Sequence, residues 1–156
     1  MTRPEQRDPA SIDILVVDDT PDNLRLLASI LKSEGYKVRL VPNGNLALKA
    51  ATTAPPDMIL LDILLPDMTG YEVCTCLQQT EALREVPVIF LSALSDAKDK
   101  MQAFSAGGVD YITKPFVVEE VQARVKIHLQ LRQLQQALQV ENQYLRDLET
   151  MRDGLM

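Results

Sequence analysis

The chain has 156 residues, 46% of them hydrophobic and 4% aromatic, with no tryptophan and a formal net charge of −6. That size and apolar content fit one compact domain with a short appendage and a core of Leu, Ile, Val, Ala and Met, and they exclude a disordered chain. The acidic balance excludes unaided binding to nucleic acid or to an anionic membrane. Cys74 and Cys76 lie two apart, point to different faces of a helix, and form neither a disulfide framework nor a CxxC site. No secretory h-region and no apolar run of ~20 residues is present, so the chain reads as soluble and cytoplasmic, with no membrane contact.

In chain order, residues 1–11 are polar, carry two prolines and read as a flexible tail. Ile14 to Val17 is a short apolar run that stops at Asp18-Asp19. Short β-branched runs bounded by polar residues are buried strands. Pro21 to Glu34 places Leu24, Leu27, Ala28 and Leu31 at helical spacing, and Gly35 closes it. Lys37 to Val41 is strand-like, Asn43-Gly44 punctuates it, and Leu46 to Ala51 is a short helix that ends before Pro55-Pro56. Met58 to Leu61 is the next run and ends at Asp62; Gly70 to Gln79 is helical. Val88 to Leu91 ends at Ser92, Asp96 to Ala106 is helical, and Tyr111-Ile112 is a brief strand before Thr113-Lys114-Pro115. From Val118 the helical pattern continues to the C-terminus.

Strands alternating with helices mean βαβ units, a parallel sheet and helices on both faces. In such sheets the site lies at the carboxyl ends of the strands. Those ends gather Asp18, Asp19, Asp62, Ser92 and Lys114. Three carboxylates stay ionised in one small site when a cation sits among them. Oxygen ligands favour Mg²⁺ or Mn²⁺ over zinc, and the single histidine, His128, lies far along the chain in a solvated or half-buried helical context. A carboxylate can also accept a phosphoryl group, a reaction that needs alignment and charge neutralisation.

The segments VVDD (16–19), PDN (21–23), LLDILLPDMTG (60–70), FLSA (90–93) and DYITKP (110–115), in this order, resemble the response-regulator receiver domain of two-component systems. The resemblance covers about residues 12–130. It implies a flavodoxin-like (βα)₅ three-layer sandwich with parallel sheet order 2-1-3-4-5. It implies that Asp62 is the phosphoacceptor, Asp19 a direct metal ligand, Asp18 a ligand acting largely through water, and the Leu64 carbonyl a further ligand. It implies that Ser92 bonds a phosphoryl oxygen, that Lys114 pairs with the phosphoryl group, and that Tyr111 is the aromatic switch. The Lys114-Pro115 bond is expected to be cis. The implied partner is a histidine kinase or phosphotransfer protein, and the domain is a phosphoacceptor, not an enzyme with its own substrate. Gly107-Gly108 stands where the family more often has Gly-Ala, and is expected to loosen the approach to the fifth strand.

Residues 131–156 carry Leu131, Leu134, Leu138, Leu145, Leu148 and Leu155 at alternating spacings of three and four, in line with Ile127 and interrupted by Glu141 and Arg152. That pattern predicts a parallel coiled-coil homodimer continuous with the last receiver helix. The chain stops inside a helix and reads as a fragment of a larger signalling protein. The closing LETMRDGLM resembles the run-in to a kinase dimerisation helix, and a diguanylate cyclase is the other expected parent. Two other readings compete: a non-phosphorylated dimerisation module of receiver shape, and a metal-dependent phosphatase. The phosphatase pattern needs its second acid two residues after the first, whereas Asp18 and Asp19 are adjacent.

Overall fold

A computed structural model describes residues 7–93 and 97–154. Five strands and five α-helices alternate among them. The strands are β1 (Asp13–Val17), β2 (Lys37–Val41), β3 (Met58–Asp62), β4 (Val88–Ser92) and β5 (Asp110–Thr113). The helices are α1 (Pro21–Ser33), α2 (Gly44–Thr53), α3 (Gly70–Gln78), α4 (Ala97–Ser105) and α5 (Val118–Gly154). All strand pairs are parallel and the sheet order is β2-β1-β3-β4-β5. This is the flavodoxin-like architecture that the motifs imply.

The apolar runs are continuous because both faces of the sheet are covered. Ile14, Val16, Met58, Leu60, Ile89, Leu91 and Ile112 pack on one face against Leu27 and Leu31 of α1 and Val121, Val125 and Leu129 of α5. Leu15, Val17, Ile59, Leu61 and Phe90 face the other way, against Ala47 and Ala51 of α2 and Val73, Cys74 and Leu77 of α3. Every residue of β3 and β4 is buried, and each large apolar side chain taken out of water stabilises the fold by about 1.5–3 kcal/mol. The sheet is therefore rigid where its ends carry chemistry. Burial pushes the Cys74 thiol up to about 11, so it is an inert core residue.

Three details differ from the sequence reading. Helix α2 starts at Gly44, two residues before the expected Leu46, because the Asn43 side chain accepts the Leu46 N–H at 2.9 Å and caps it. In the expected tail, residues 1–6 lie outside the described residues, but Pro9–Ser11 forms a 3₁₀ turn and Arg7 pairs with Asp57 at 2.7 Å. Gly108 tightens the approach to β5, where the sequence reading expects loosening. A Cβ there would lie 2.5 Å from the Phe90 ring and 3.0 Å from the Ala103 carbonyl oxygen. Asp96, expected to begin the fourth helix, and Leu155, the last expected seam residue, lie outside the described residues.

Helix α5 buries Val121, Val125, Leu129 and Gln133, one residue per turn. Beyond Gln133 it runs about 30 Å to Gly154 at 1.5 Å per residue. Leu134, Leu138, Leu145 and Leu148 are 44–58% exposed along it. Arg132 donates to the Glu85 carbonyl, and Gln139 donates to the Glu85 carboxylate at 3.1 Å. The α/β body thus grips a polar face of the extension; Leu131 and Leu138 line a groove against it, and Leu134, Leu145 and Leu148 stay open.

Candidate functional site: an acidic cluster at the strand ends

Strand order reverses at β1 and β3, where α1 leaves to one face of the sheet and α3 to the other. A crevice opens there at the carboxyl ends. Asp18 follows β1 and is fully buried; Asp62 ends β3 at 5% exposed; Ser92 ends β4 at 5% exposed. Asp19 is exposed beside them. Carboxylate oxygens of Asp18, Asp19 and Asp62 lie within 4.8 Å of one another, a candidate metal cluster among the described residues.

Lys114, just past β5, reaches back across the sheet ends. Its Nζ lies 2.9 Å from Asp62 Oδ2 and 3.2 Å from Asp18 Oδ2. The Lys114 N–H donates to the Ser92 carbonyl at 2.8 Å, which ties the β5 end to β4. The Lys114-Pro115 bond is cis, as expected. Asp18 also accepts the Thr20 N–H at 2.9 Å and the Asn23 side-chain amide at 3.3 and 3.4 Å. Asp62 Oδ1 accepts the Leu64 N–H at 3.3 Å. A cavity of about 260 Å³ is lined by Asp19, Asp62, Ile63, Leu64, Ser92, Ala93 and Lys114. All the candidates except Asp18 and Tyr111 therefore line one cavity, and Asp18 sits behind its wall on the same ammonium.

Burial pushes the Asp62 carboxyl above its ordinary value, and the Asp18 charge adds to this; the hydrogen bond and charge of Lys114 oppose it without cancelling it. Burial acts to lower Lys114, but the Asp62 and Asp18 carboxylates outweigh it and hold the ammonium above its usual range. Lys114 is therefore charged at neutral pH. One ammonium contacts two of the three clustered carboxylates, and the atoms the cluster offers a cation are carboxylate oxygens. That set fits a hard divalent cation such as Mg²⁺ or Mn²⁺.

Tyr111 is half-buried away from the cavity, with its ring edge-on to Phe104 at 6.4 Å and the Arg124 guanidinium 5.8 Å from its centre. Arg124 Nη1 donates to both oxygens of the neighbouring Asp110 at 2.8 Å, and His128 Nε2 lies 2.9 Å from Asp110 Oδ2. Burial acts to raise Asp110, but the His128 bond, the Tyr111 N–H and Arg124 outweigh it and hold the carboxyl below its usual range. Sequence reading missed this network. Its trace in the sequence is the line Glu120, Arg124, His128 at intervals of four, one face of α5.

The whole assembly defines a class: a five-stranded parallel α/β domain with an acid cluster and a lysine at its strand ends. Residues 14–126 match the family model for the response regulator receiver domain, and the chain belongs to that family. It is 36% identical over 141 residues to a protein of Vibrio cholerae serotype O1 named probable cyclic di-GMP phosphodiesterase, covering 90% of this chain and 32% of that one. It is 41% identical over 113 residues to the DNA-binding dual master transcriptional regulator RpaA of Synechocystis, covering 72% of this chain and 47% of that one. The chain thus spans less than half the length of these relatives. Among solved structures, a putative response regulator from Chloroflexus aurantiacus superposes with a TM-score of 0.73 at 35% identity, covering 76% of this chain and 97% of that one. Receiver domains bind Mg²⁺ in general, and this chain carries the acidic cluster for it. Receiver domains also interact with histidine kinases or phosphotransfer proteins. No helix among the described residues is long and apolar enough to cross a membrane.

The raised Asp62 carboxyl predicts a pH dependence of stability in metal-free protein. The folded chain binds a proton at Asp62 more readily than the unfolded chain. This contribution is fully present below the ordinary carboxyl value of about 4 and is lost as pH rises through the raised value. Asp62→Asn removes the charged form. Its urea midpoint at pH 7 in EDTA is expected to exceed that of the unsubstituted chain, with the gain shrinking as pH falls toward the carboxylate range. A variant less stable at pH 7 contradicts the assignment.

Proposed function

We propose that this chain is a phosphoacceptor switch: Asp62 takes a phosphoryl group from a phosphohistidine, and the change is delivered to helix α5. The observation that carries this reading is the shared ammonium. Lys114 holds Asp62 beside an open cavity that Ser92 also lines, so an acceptor, a counter-ion and a hydroxyl donor meet at one point. An Asp62 oxygen attacks phosphorus as the P–N bond of the phosphohistidine breaks, and the bond's electron pair leaves with the imidazole. Lys114 follows the charge from the carboxylate to the phosphoryl oxygens, and Ser92 donates to one of them. Asp18, Asp19, Asp62 and the Leu64 carbonyl would hold Mg²⁺ or Mn²⁺, which supplies further positive charge against those oxygens.

Ser92 and Tyr111 form the readout. The Tyr111 ring turns inward as Ser92 is drawn to the phosphoryl group. Arg124 touches that ring and is held by Asp110, as is His128, so the movement reaches α5 on two successive turns. The open seam of α5 forms a parallel homodimer. Leu134, Leu145 and Leu148, exposed and outside the groove that Leu131 and Leu138 share with the body, support this arrangement over a seam folded back on the receiver. The output is a fused effector domain of the parent protein. A cyclic di-GMP-handling domain is favoured over a histidine kinase, because the match to the phosphodiesterase relative, at 90% of this chain, takes in part of α5 beyond residue 126. The competing reading, a receiver-shaped dimeriser without phosphorylation, predicts the same oligomer and no chemistry.

With Mg²⁺ and acetyl phosphate, mass spectrometry is expected to show the gain of one phosphoryl group, abolished by EDTA. Lys114→Ala is expected to slow the reaction by on the order of 10²–10³-fold. A chain that gains no phosphoryl group with Mg²⁺ sinks the switch and leaves the dimeriser. In solution the chain is expected to have the mass of a dimer, and Leu145→Lys with Leu148→Lys that of a monomer. A monomeric unsubstituted chain, phosphorylated or not, refutes the coiled coil.

A further inference from the structure

The Leu64 carbonyl lies in the loop of residues 63–69, which follows the acceptor at the end of β3 and leads to α3. Its two ends are pinched together. Leu64 pairs with Thr69 in an antiparallel bridge, and the Gly70 N–H donates to the Ile63 carbonyl at 2.8 Å. A Cβ on Gly70 would lie 2.4 Å from the Asp62 carbonyl oxygen, so no other residue allows this closure without a shift. Leu64 is 68% exposed, and Leu65 and Met68 are only half-buried against the core. Apolar burial therefore holds the tip weakly.

Asp67 supplies what burial does not. Its carboxylate leaves the loop and spans to the start of α2, where Oδ1 accepts the Gly44 N–H at 2.9 Å and Oδ2 accepts the Asn45 N–H at 2.8 Å. A helix begins with amides that have no partner inside it and carries partial positive charge there. The local cap, Asn43, takes the Leu46 N–H, so the two residues serve different donors of the same helix end. Beside them Gly44 leaves room for Met68, whose Cγ would lie 2.4 Å from a Cβ at that position. The tip is thus fastened to a second element by two charge-assisted bonds and one close contact. The two N–H bonds hold the Asp67 carboxyl below its usual range, so it is ionised at neutral pH.

We infer that Asp67 is a positioning residue for the metal-binding loop: by tying the loop tip to α2, it holds the Leu64 backbone in line with Asp62. This rests on the reading of Leu64 and Asp62 as metal ligands. A backbone carbonyl cannot swing into place as a side chain does, so its position is set by what fastens the loop. A cap that merely stabilised α2 would act on folding alone.

Two measurements on the full metal-free chain separate these roles, with Asn43→Ala as the control that removes the other cap of α2 from outside the loop. Hydrogen exchange by NMR reads the Leu64 N–H, which donates to Asp62. Calorimetric titration with Mg²⁺ reads affinity. Asp67→Ala is expected to lose Leu64 amide protection and to bind Mg²⁺ about 10–100-fold more weakly, the range for residues that orient metal ligands. Asp67→Asn, which keeps one acceptor, is expected to fall between, and it serves if the alanine variant is poorly folded. Asn43→Ala is expected to lower the unfolding midpoint with Leu64 protection and Mg²⁺ affinity unchanged. Equal Leu64 protection in all variants overturns the inference, as does equal Mg²⁺ affinity in Asp67→Ala and Asn43→Ala. If the unsubstituted chain does not bind Mg²⁺, the ligand assignment fails, and Leu64 exchange still decides whether Asp67 positions the loop.

Discussion

One ammonium between two buried carboxylates organises this domain. Asp18 and Asp62 are brought together by the adjacency of β1 and β3, and taking both charges out of water is costly. Lys114 offsets that cost from across the sheet, at 3.2 and 2.9 Å. The arrangement leaves an excess of negative charge and a carboxyl whose burial still disfavours its ionised form. A fold that maximised its stability would not keep such a cluster. A site that must attract cationic groups and redistribute charge around an incoming phosphoryl group is served by it.

The rest of the structure arranges consequences around that point. The two halves of the core clamp β1, β3 and β4 on both faces, so the acid ends do not drift. The β5 end is fastened to β4 through Lys114 and Ser92 main-chain atoms, which places the cation and the hydroxyl on one rigid edge. On the far side of β5, Asp110 gathers Arg124 and His128 from α5, and Arg124 lies against Tyr111. The same helix leaves the body after Gln139 with Leu145 and Leu148 outward. From Tyr111 and Asp110, contacts lead through Arg124 and His128 to the helix that carries those leucines.

The strands and the candidate cluster were legible because apolar runs that stop abruptly at Asp, Ser or Lys mark buried strands with polar ends. Sheet order and residue roles came from the resemblance carried by five short segments. What was not legible depends on partners distant in sequence. Gly108 reads as slack until the Phe90 ring is seen against it. Asp67 has no assigned role within the segment 60–70 until its oxygens are placed on the α2 amides 23 and 22 positions away. Residues 7–11 read as tail because the anchor for Arg7, Asp57, is 50 positions on. The start of α2 shifted for a local reason, since the Asn43 cap draws the first turn back toward itself.

The central claim is that Asp62, and no other carboxylate of the cluster, receives the phosphoryl group. Borohydride reduction decides this, because it converts an aspartyl phosphate to homoserine and leaves free carboxylates intact. After treatment with Mg²⁺ and acetyl phosphate, peptide sequencing by mass spectrometry should place homoserine at position 62 alone. Homoserine at position 18 or 19, or at no position in a chain that has demonstrably bound Mg²⁺, would contradict the account.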